Sequence, residues 1–325
     1  MALRSKAGPT ASGSDRLALL GHEAEGHGLA DRVPELSLEA QRIAATVAHG
    51  LHGRRRSGPG ENFWQFRQLQ AGDPTHLIDW RRSASSDHLY IREREWETAH
   101  TVWLWPDLSP SMAFKSHLAP ITKRERALVL MFALGELLIR AGERIAVMGV
   151  TQPSQFRKTT TKIAEMLSAR LKDKSLIAST PPEERIGRFA STVWISDFLD
   201  PIETIAPRMR SLAANGAVGH LIQVLDPAEE TLPYAGRTEF VGIEGSERWI
   251  ADRAEGLRAA YQARLAAHRD ELATLCRNLG WSFAVHHTDK PATEPVLALI
   301  LRLAGQDATI AKAAIVPSNA IEAAS

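Results

Sequence analysis

Short apolar runs alternate with amphipathic segments over residues 101–303 of the chain. Runs rich in β-branched and aromatic residues predict strands at 101–105, 144–150, 191–196, 219–225 and 281–287. The segments between and after them predict helices at 123–141, 161–171, 202–214, 251–279 and 294–303. Strands that alternate with helices in this way pair in parallel, and the helices cover both faces of the sheet. The sequence therefore predicts an α/β fold with a doubly wound, mostly parallel, Rossmann-type sheet.

Acidic residues follow three of the predicted strands, namely Asp107, Asp197 and Asp226. In an open α/β sheet, ligands bind beyond the carboxyl ends of the strands. Only acids that follow adjacent strands can share one ion, and we expect Asp107 and Asp197 to be that pair.

The first of these acids opens the loop with the most specific pattern in the chain. Asp107, Ser109 and Ser111 alternate along it. A carboxylate and two hydroxyls can converge on a hard cation such as Mg²⁺ or Mn²⁺, which prefers oxygen ligands and keeps several waters. Zinc prefers sulfur and imidazole ligands, which the loop lacks. The alternative is structural, because Asp, Ser and Pro are also ordinary turn and helix-capping residues.

The regions on either side of residues 99–304 differ in composition. Residues 1–34 are rich in glycine, alanine and small polar residues, and we expect them to be mobile. Ser37 is the predicted N-cap of a helix that ends near Gly50. This helix is the first element of an irregular segment, residues 35–98, that is rich in arginine and tryptophan. Residues 305–325 are predicted to be a flexible tail.

The charges and the single cysteine indicate which partners and which compartment to expect. Lys and Arg number 39 against 38 Asp and Glu, so the net charge does not indicate an anionic partner such as nucleic acid or a membrane surface. Residues 41–94 hold nine arginines against five acids, but the chain as a whole is not basic, and we expect no nucleic acid. Cys276, the only cysteine, excludes an intramolecular disulfide. The N-terminus has no apolar core and no apolar stretch is long enough to span a bilayer. We therefore expect a cytoplasmic protein without a membrane role.

The segment before the α/β region resembles bacterial proteins of the "domain of unknown function 58" family. The resemblance rests on the order of short motifs in this sequence: Phe66-Arg67-x-Leu69, Gly72-Asp73, Ile78-Asp79-Trp80, Ser83-Ala84, Leu89-Tyr90-Ile91-Arg92-Glu93, and Val224-Leu225-Asp226 with Glu229 and Leu232-Pro233. The resemblance covers about residues 35–304 and implies a von Willebrand factor type A-like domain. It also implies a partner, because members of the family are often linked with MoxR-type AAA+ ATPases.

The Asp107 loop also resembles the metal-ion-dependent adhesion site of von Willebrand factor type A domains. This resemblance implies that Asp107, Ser109 and Ser111 form the first loop of the site and that Asp197 is its third-loop acid. A threonine from a second loop would complete it. We assign this role to Thr161, while Thr159, Thr160 and Thr151 are also candidates by their order along the chain.

Such a site predicts recognition rather than turnover. An ion held by one or two carboxylates keeps positive charge, and an Asp or Glu of a partner protein would displace one of its waters. The sequence contains none of the G-x-S-x-G, H-E-x-x-H or G-K-[ST] motifs, and we favour a non-enzymatic role. One rival is a metal-dependent hydrolase that uses Asp107, Asp197 and either His286 or His287 as a base. Another rival keeps the fold but leaves the site without an ion.

Overall fold

The structure, a computed structural model, describes residues 3–6, 15–52, 65–70, 73, 75, 78–93, 100–172, 178–242 and 248–314. The chain divides into two compact units. One comprises Met1–His49 with His100–Ser325, and the other comprises Gly50–Ala99. No helix in these described ranges is long and apolar enough to cross a membrane.

The larger unit contains most of the secondary structure. In chain order the elements of the two units are β1 (Leu3–Lys6), α1 (Asp15–His52), β2 (Gln65–Gln68), α2 (Trp80–Ser83), β3 (Tyr90–Glu93), β4 (Thr101–Pro106), α3 (Lys123–Arg140), β5 (Arg144–Val147), α4 (Thr159–Lys172), β6 (Ser191–Ser196), α5 (Ile202–Ala214), β7 (Val218–Leu225), α6 (Pro227–Thr231), β8 (Thr238–Gly242), β9 (Arg248–Ala251), α7 (Arg258–Asn278), β10 (Ser282–His287) and α8 (Thr293–Ala314).

Five strands form a central sheet in the order β10-β7-β6-β4-β5, and all of its pairings are parallel. The predicted α/β fold with a parallel sheet is thereby confirmed. The chain runs from β4 outwards to β5 and then crosses back to β6 on the other side of β4. The order of the strands therefore reverses between β4 and β6, which is where doubly wound sheets bind ligands.

The two faces of the sheet follow from the alternation of side chains along its strands. Leu104 faces α3, which packs closely across the sheet at Gly135, where an added Cβ would lie 3.1 Å from Ile145 Cδ1 and 3.7 Å from Leu104 Cδ1. Trp103 and Trp105 face the opposite way, into a core shared with α5 and α7. Trp194 lies within that core, edge-on to Trp105 at 6.0 Å between ring centroids.

Three predicted helix boundaries are wrong. The helix predicted to end at residue 303 continues as α8 to Ala314. Helix α1 begins at Asp15 rather than after Ser37, and Leu29 and Val33 on its earlier turns are buried. The mobility predicted for residues 1–34 and 305–325 stays a prediction. The helix predicted from residue 251 begins at Arg258, because the preceding residues form β9 of a small antiparallel sheet, β1-β8-β9. Phe240 of β8 stacks on Trp249 of β9, with 5.7 Å between their ring centroids, and this local packing overrides the helical pattern.

The unit Gly50–Ala99 contains the antiparallel pair β2–β3 and the short helix α2. Asp79 caps α2, since its carboxylate accepts a hydrogen bond from the Arg82 amide at 2.9 Å. Asp73 accepts one from the Gln70 amide at 2.7 Å. Two acids of the motif-bearing segment therefore have a structural role in turns.

Candidate functional site

The reversal of strand order brings the loops that follow β4 and β6 together. Pro106 pairs with Ile195 at the end of the two strands, and the Asp107 amide donates a hydrogen bond to the Ile195 carbonyl at 2.8 Å. Asp107 and Asp197 therefore leave adjacent strands at the same edge of the sheet. Both are buried. The predicted adjacency of this pair of acids agrees with the sheet order.

The Asp107 loop is held in a turn by its own polar groups. The Ser109 amide donates a hydrogen bond to Asp107 Oδ1 at 2.8 Å, which directs the chain back past the carboxylate. The hydroxyls of Ser109 and Ser111 share a hydrogen bond, with 3.1 Å between the two oxygens. Neighbouring ligands of an octahedral Mg²⁺, with bonds of about 2.1 Å, are separated by roughly 2.9 Å. The spacing of the two hydroxyls is therefore close to one edge of such an octahedron.

Asp107 has hydrogen-bond donors around it but no cation. Besides the Ser109 amide, the Ser196 hydroxyl donates to Asp107 Oδ2 at 2.6 Å. In the described part of the chain, no Lys, Arg or His lies within ion-pair distance of this carboxylate. Burial, and next the negative charge of Asp197, raise the pKa of Asp107 from 3.8 to about 7. An added cation close to Asp107 would therefore be favoured.

Asp197 has a cation of its own. The ammonium of Lys123 donates a hydrogen bond to Asp197 Oδ2 at 2.8 Å and another to Glu229 Oε1 at 2.6 Å. Burial alone would raise the pKa of Asp197, but the charge and the hydrogen bond of Lys123 outweigh it and lower the pKa. The same two carboxylates outweigh the effect of burial on Lys123 and raise its pKa.

Sequence reasoning missed Lys123 and Glu229 as parts of this edge. The sequence gives only a weak signal for Lys123: it is the first residue of α3, where the helix dipole disfavours a cation, but the three residues that follow it are also charged. Glu229 lies in the Asp226 motif, where it completes a capping box by accepting a hydrogen bond from the Asp226 amide at 2.9 Å. This arrangement leaves its other oxygen for Lys123.

The backbone immediately after Asp197 is strained. Phe198 has φ of 48°, in the left-handed region, although it is neither glycine nor asparagine, and its side chain is buried. Its amide donates a hydrogen bond to Ser196 Oγ at 3.1 Å. His268 of α7 contacts the Phe198 carbonyl, with 2.7 Å between Nε2 and the oxygen. Strain of this kind persists where the surroundings hold it, and it occurs most often at functional sites.

Three of the four candidate threonines form hydrogen bonds with groups outside the Asp107 loop. Thr161 is exposed in the first turn of α4, and no contact joins it to Asp107, Ser109 or Ser111 among the described residues. The hydroxyl of Thr160 donates to Glu136 at 3.1 Å, and that of Thr159 contacts Ser154 Oγ at 2.9 Å. Thr151 accepts a hydrogen bond from the Val147 amide at 2.9 Å. The metal role assigned to Thr161 stays a prediction.

The two candidate histidines lie on the outermost strand of the sheet, on the side opposite β5. They belong to β10, which β7 separates from β6, so they are about 14 Å across the sheet from β4. Burial, and then the charge of Arg126, lower the pKa of His286 to about 3. His287 contacts the carboxylate of Glu230. Neither histidine is brought to Asp107 and Asp197.

Asp226 has a structural role at this edge. Its carboxylate accepts hydrogen bonds from the Ala228 amide at 2.9 Å and from the Ser116 amide at 2.8 Å. Across the described ranges, no group of three or more Asp, Glu, His or Cys side chains is placed to hold a metal ion. A metal ion at this edge would therefore depend on the hydroxyls of the Asp107 loop.

The chain is similar to known proteins over most of its length. Residues 65–271 match the family described as "Protein of unknown function DUF58". The uncharacterized proteins Mb1516 of Mycobacterium bovis and Rv1480 of Mycobacterium tuberculosis are each 27% identical over 278 residues, which is 81% of this chain and 86% of the relative. The crystal structure of conserved hypothetical protein BatB from Bacteroides thetaiotaomicron shares 14% identity and a TM-score of 0.33, over 64% of this chain and 100% of BatB.

Proposed function

The chain belongs to the DUF58 family, whose description assigns no activity, and we propose that its α/β unit is a divalent-metal-dependent protein-interaction module. The observation that carries this proposal is the Asp107 loop. It presents two serine hydroxyls 3.1 Å apart beside a buried carboxylate that has no cationic partner among the described residues. This combination favours a hard divalent cation, Mg²⁺ or Mn²⁺.

The donor set fits such an ion. Asp107, Ser109 and Ser111 would hold it, with Asp197 behind them as an acid whose charge Lys123 already balances. One carboxylate and two neutral hydroxyls leave an ion of charge +2 with a surplus of positive charge. A bound ion would supply a positive centre with exchangeable waters, which an incoming carboxylate can replace. Thr161 remains the proposed second-loop ligand.

The partner is a protein that offers an aspartate or glutamate. The family resemblance supports a MoxR-type AAA+ ATPase as that partner, and the balance of charges favours neither nucleic acid nor a membrane surface. We place the interaction in the cytoplasm, in keeping with a chain whose single cysteine is a buried free thiol. A hydrolase is not favoured, because His286 and His287 belong to β10, which lies two strands from β6 and three from β4 in the sheet.

Titration calorimetry of Mn²⁺ into the metal-free protein tests the proposal. We expect saturable binding of one ion, weakened by about tenfold or more in Asp107→Asn, because the substitution removes the only charged ligand of the loop. Asp200→Asn is the matched control, because Asp200 is a half-buried acid that lies three residues after Asp197. We expect this variant to bind Mn²⁺ with the affinity of the parent protein. No binding at millimolar Mn²⁺, or equal binding by Asp107→Asn, would contradict the proposal.

Partner binding is then measured with a purified MoxR-type ATPase. We expect capture in the presence of Mg²⁺ and release by a chelator, and no capture by Asp107→Asn. Capture that a chelator does not affect would favour the alternative in which the fold is kept but the site holds no ion.

A further inference from the structure

The ammonium of Lys123 is wholly enclosed at the edge of the sheet. The residue is 0% exposed, and its Nζ lies 2.8 Å from Asp197 Oδ2 and 2.6 Å from Glu229 Oε1. The ring of Phe114 lies on another side, with its centroid 5.8 Å from Nζ. Two carboxylate oxygens and an aromatic face therefore surround a single positive charge.

Nothing in the local structure of α3 favours a cation at this place. Lys123 is the first residue of the helix, where the dipole is positive, and burial also disfavours the charged form of a lysine. The charge is tolerable only because two acids face it. The requirement for a cation therefore comes from Asp197 and Glu229.

The two acids are held in place by contacts that do not involve Lys123. Glu229 Oε2 accepts a hydrogen bond from the Asp226 amide at 2.9 Å, as part of the capping box of α6. Asp197 Oδ1 accepts one from the Leu199 amide at 3.3 Å, and the Asp197 carbonyl accepts one from Gln223 Nε2 at 2.8 Å. The pair of carboxylates is thus arranged by the fold around a position for a cation.

We propose that Asp197 and Glu229 form a second cation site at the carboxyl edge, which the chain fills with its own Lys123, and that a divalent ion takes the place of the ammonium when Lys123 is removed. The tethered ammonium keeps a metal ion away from Asp197 and confines it to the Asp107 loop. This inference shares Asp197 with the site of the proposed function, but it does not rest on that function, because it can hold if the Asp107 loop binds no metal.

The test uses thermal melting of the full chain with a chelator or with millimolar Mn²⁺, in an Asp107→Asn background. That background removes any ion of the Asp107 loop, so the response reports only the second site. In the chelator, Lys123→Met should lower the Tm by about 10 °C, because two buried carboxylates lose their cation. Mn²⁺ should recover at least half of this loss. Lys162→Met, at an exposed position of α4, is the matched control and should show neither effect.

A second variant keeps the test decisive if Lys123→Met does not fold. Adding Glu229→Gln to Lys123→Met neutralises one of the two uncompensated acids, so we expect a higher Tm than for Lys123→Met alone and a loss of the Mn²⁺ response. The proposal is overturned if Mn²⁺ raises the Tm of Lys123→Met no more than that of its background, or if Glu229→Gln brings no recovery. If Mn²⁺ raises the Tm of Lys123→Met in the Asp107→Asn background but does not bind the parent protein, the proposed function is contradicted and the second cation site is supported.

Discussion

The loops that follow β4 and β6 occupy equivalent places in the fold but differ in their electrostatics. Asp107 and Asp197 each follow a parallel strand of the same pair, and they are 1% and 4% exposed. Burial raises the pKa of Asp107 to about 7, whereas the pKa of Asp197 is lowered despite equal burial. Depth in the protein therefore does not decide the charge of either acid.

The difference comes from the helix that begins beside them. Helix α3 directs the ammonium of Lys123 to Asp197, while the donors that reach Asp107 from the described residues are an amide and a hydroxyl. A hydrogen bond from a neutral donor offsets part of the cost of burying a charge, whereas an ion pair with further hydrogen bonds offsets much more. The chain itself thus supplies a cation to Asp197 in the loop after β6. An added cation would stabilise the ionised form of Asp107 in the loop after β4.

The largest expected effect is on the dependence of stability on pH in metal-free buffer. The folded state binds the Asp107 proton more tightly than the unfolded state, because the pKa is raised from 3.8 to about 7. The stability that this proton contributes is complete below pH 3.8 and is lost as the pH rises through 7. The loss is of the order of 4 kcal/mol. Asp107→Asn should lack it, and urea unfolding between pH 4 and pH 8 measures the difference.

His286 makes the comparison with the variant necessary. Its pKa is lowered to about 3 by burial and by Arg126, so it destabilises the folded state as the pH falls below 6.5. The effect of His286 on stability is opposite in sign to that of Asp107 over the same pH range. It is the same in the parent protein and in Asp107→Asn, so it cancels when their stabilities are subtracted. A difference that does not change with pH would mean that Asp107 is ionised in the folded protein at all pH values in this range.

The next largest effect is the difference in stability between variants that lack the carboxylate of Asp197 and variants that lack that of Asp107. Asp197→Ala leaves the buried ammonium of Lys123 with one carboxylate instead of two, and we expect a loss of about 3 kcal/mol in the free energy of unfolding at pH 7. Asp107→Ala removes a carboxylate without a cation, so relief from its burial offsets the lost hydrogen bonds, and we expect a change of less than about 1 kcal/mol. Urea unfolding in a chelator measures both. Equal losses would show that Lys123 does not distinguish the two loops.

Most of the fold was predictable, because it depends on patterns that are local in sequence. The bounds predicted for residues 191–196 and 202–214 are those of β6 and α5. The errors lie where long-range contacts decide. Ala251 pairs with Thr238 of β8 instead of beginning a helix, and α1 begins at Asp15, well before the predicted N-cap at Ser37.

The candidate site was predictable only as far as strand ends determine it. Placing acids after strands was enough to predict that Asp107, Asp197 and Asp226 lie at one edge of the sheet, but choosing a pair among them needs the strand order, which the sequence does not give. Lys123 and Glu229 reach this edge from 74 and 32 residues away from Asp197 along the chain, and a strand pattern says nothing of which helix residue will point there. The threonines illustrate the same limit, since order along the chain does not give the direction of a side chain on α4.

The smallest effect concerns the hydroxyl that joins the two loops. Ser196 Oγ donates to Asp107 Oδ2 at 2.6 Å and accepts from the Phe198 amide at 3.1 Å. We expect Ser196→Ala to cost about 1.5 kcal/mol at pH 8, where Asp107 is ionised, and less at pH 5, where it is protonated. Thr192→Val is the matched control, because Thr192 on the same strand accepts a hydrogen bond from Trp194 Nε1 at 2.9 Å and neither group titrates. Its cost should be the same at both pH values in urea unfolding. A cost for Ser196→Ala that also stays constant would mean that the hydroxyl serves the strained backbone at Phe198 and not the charge of Asp107.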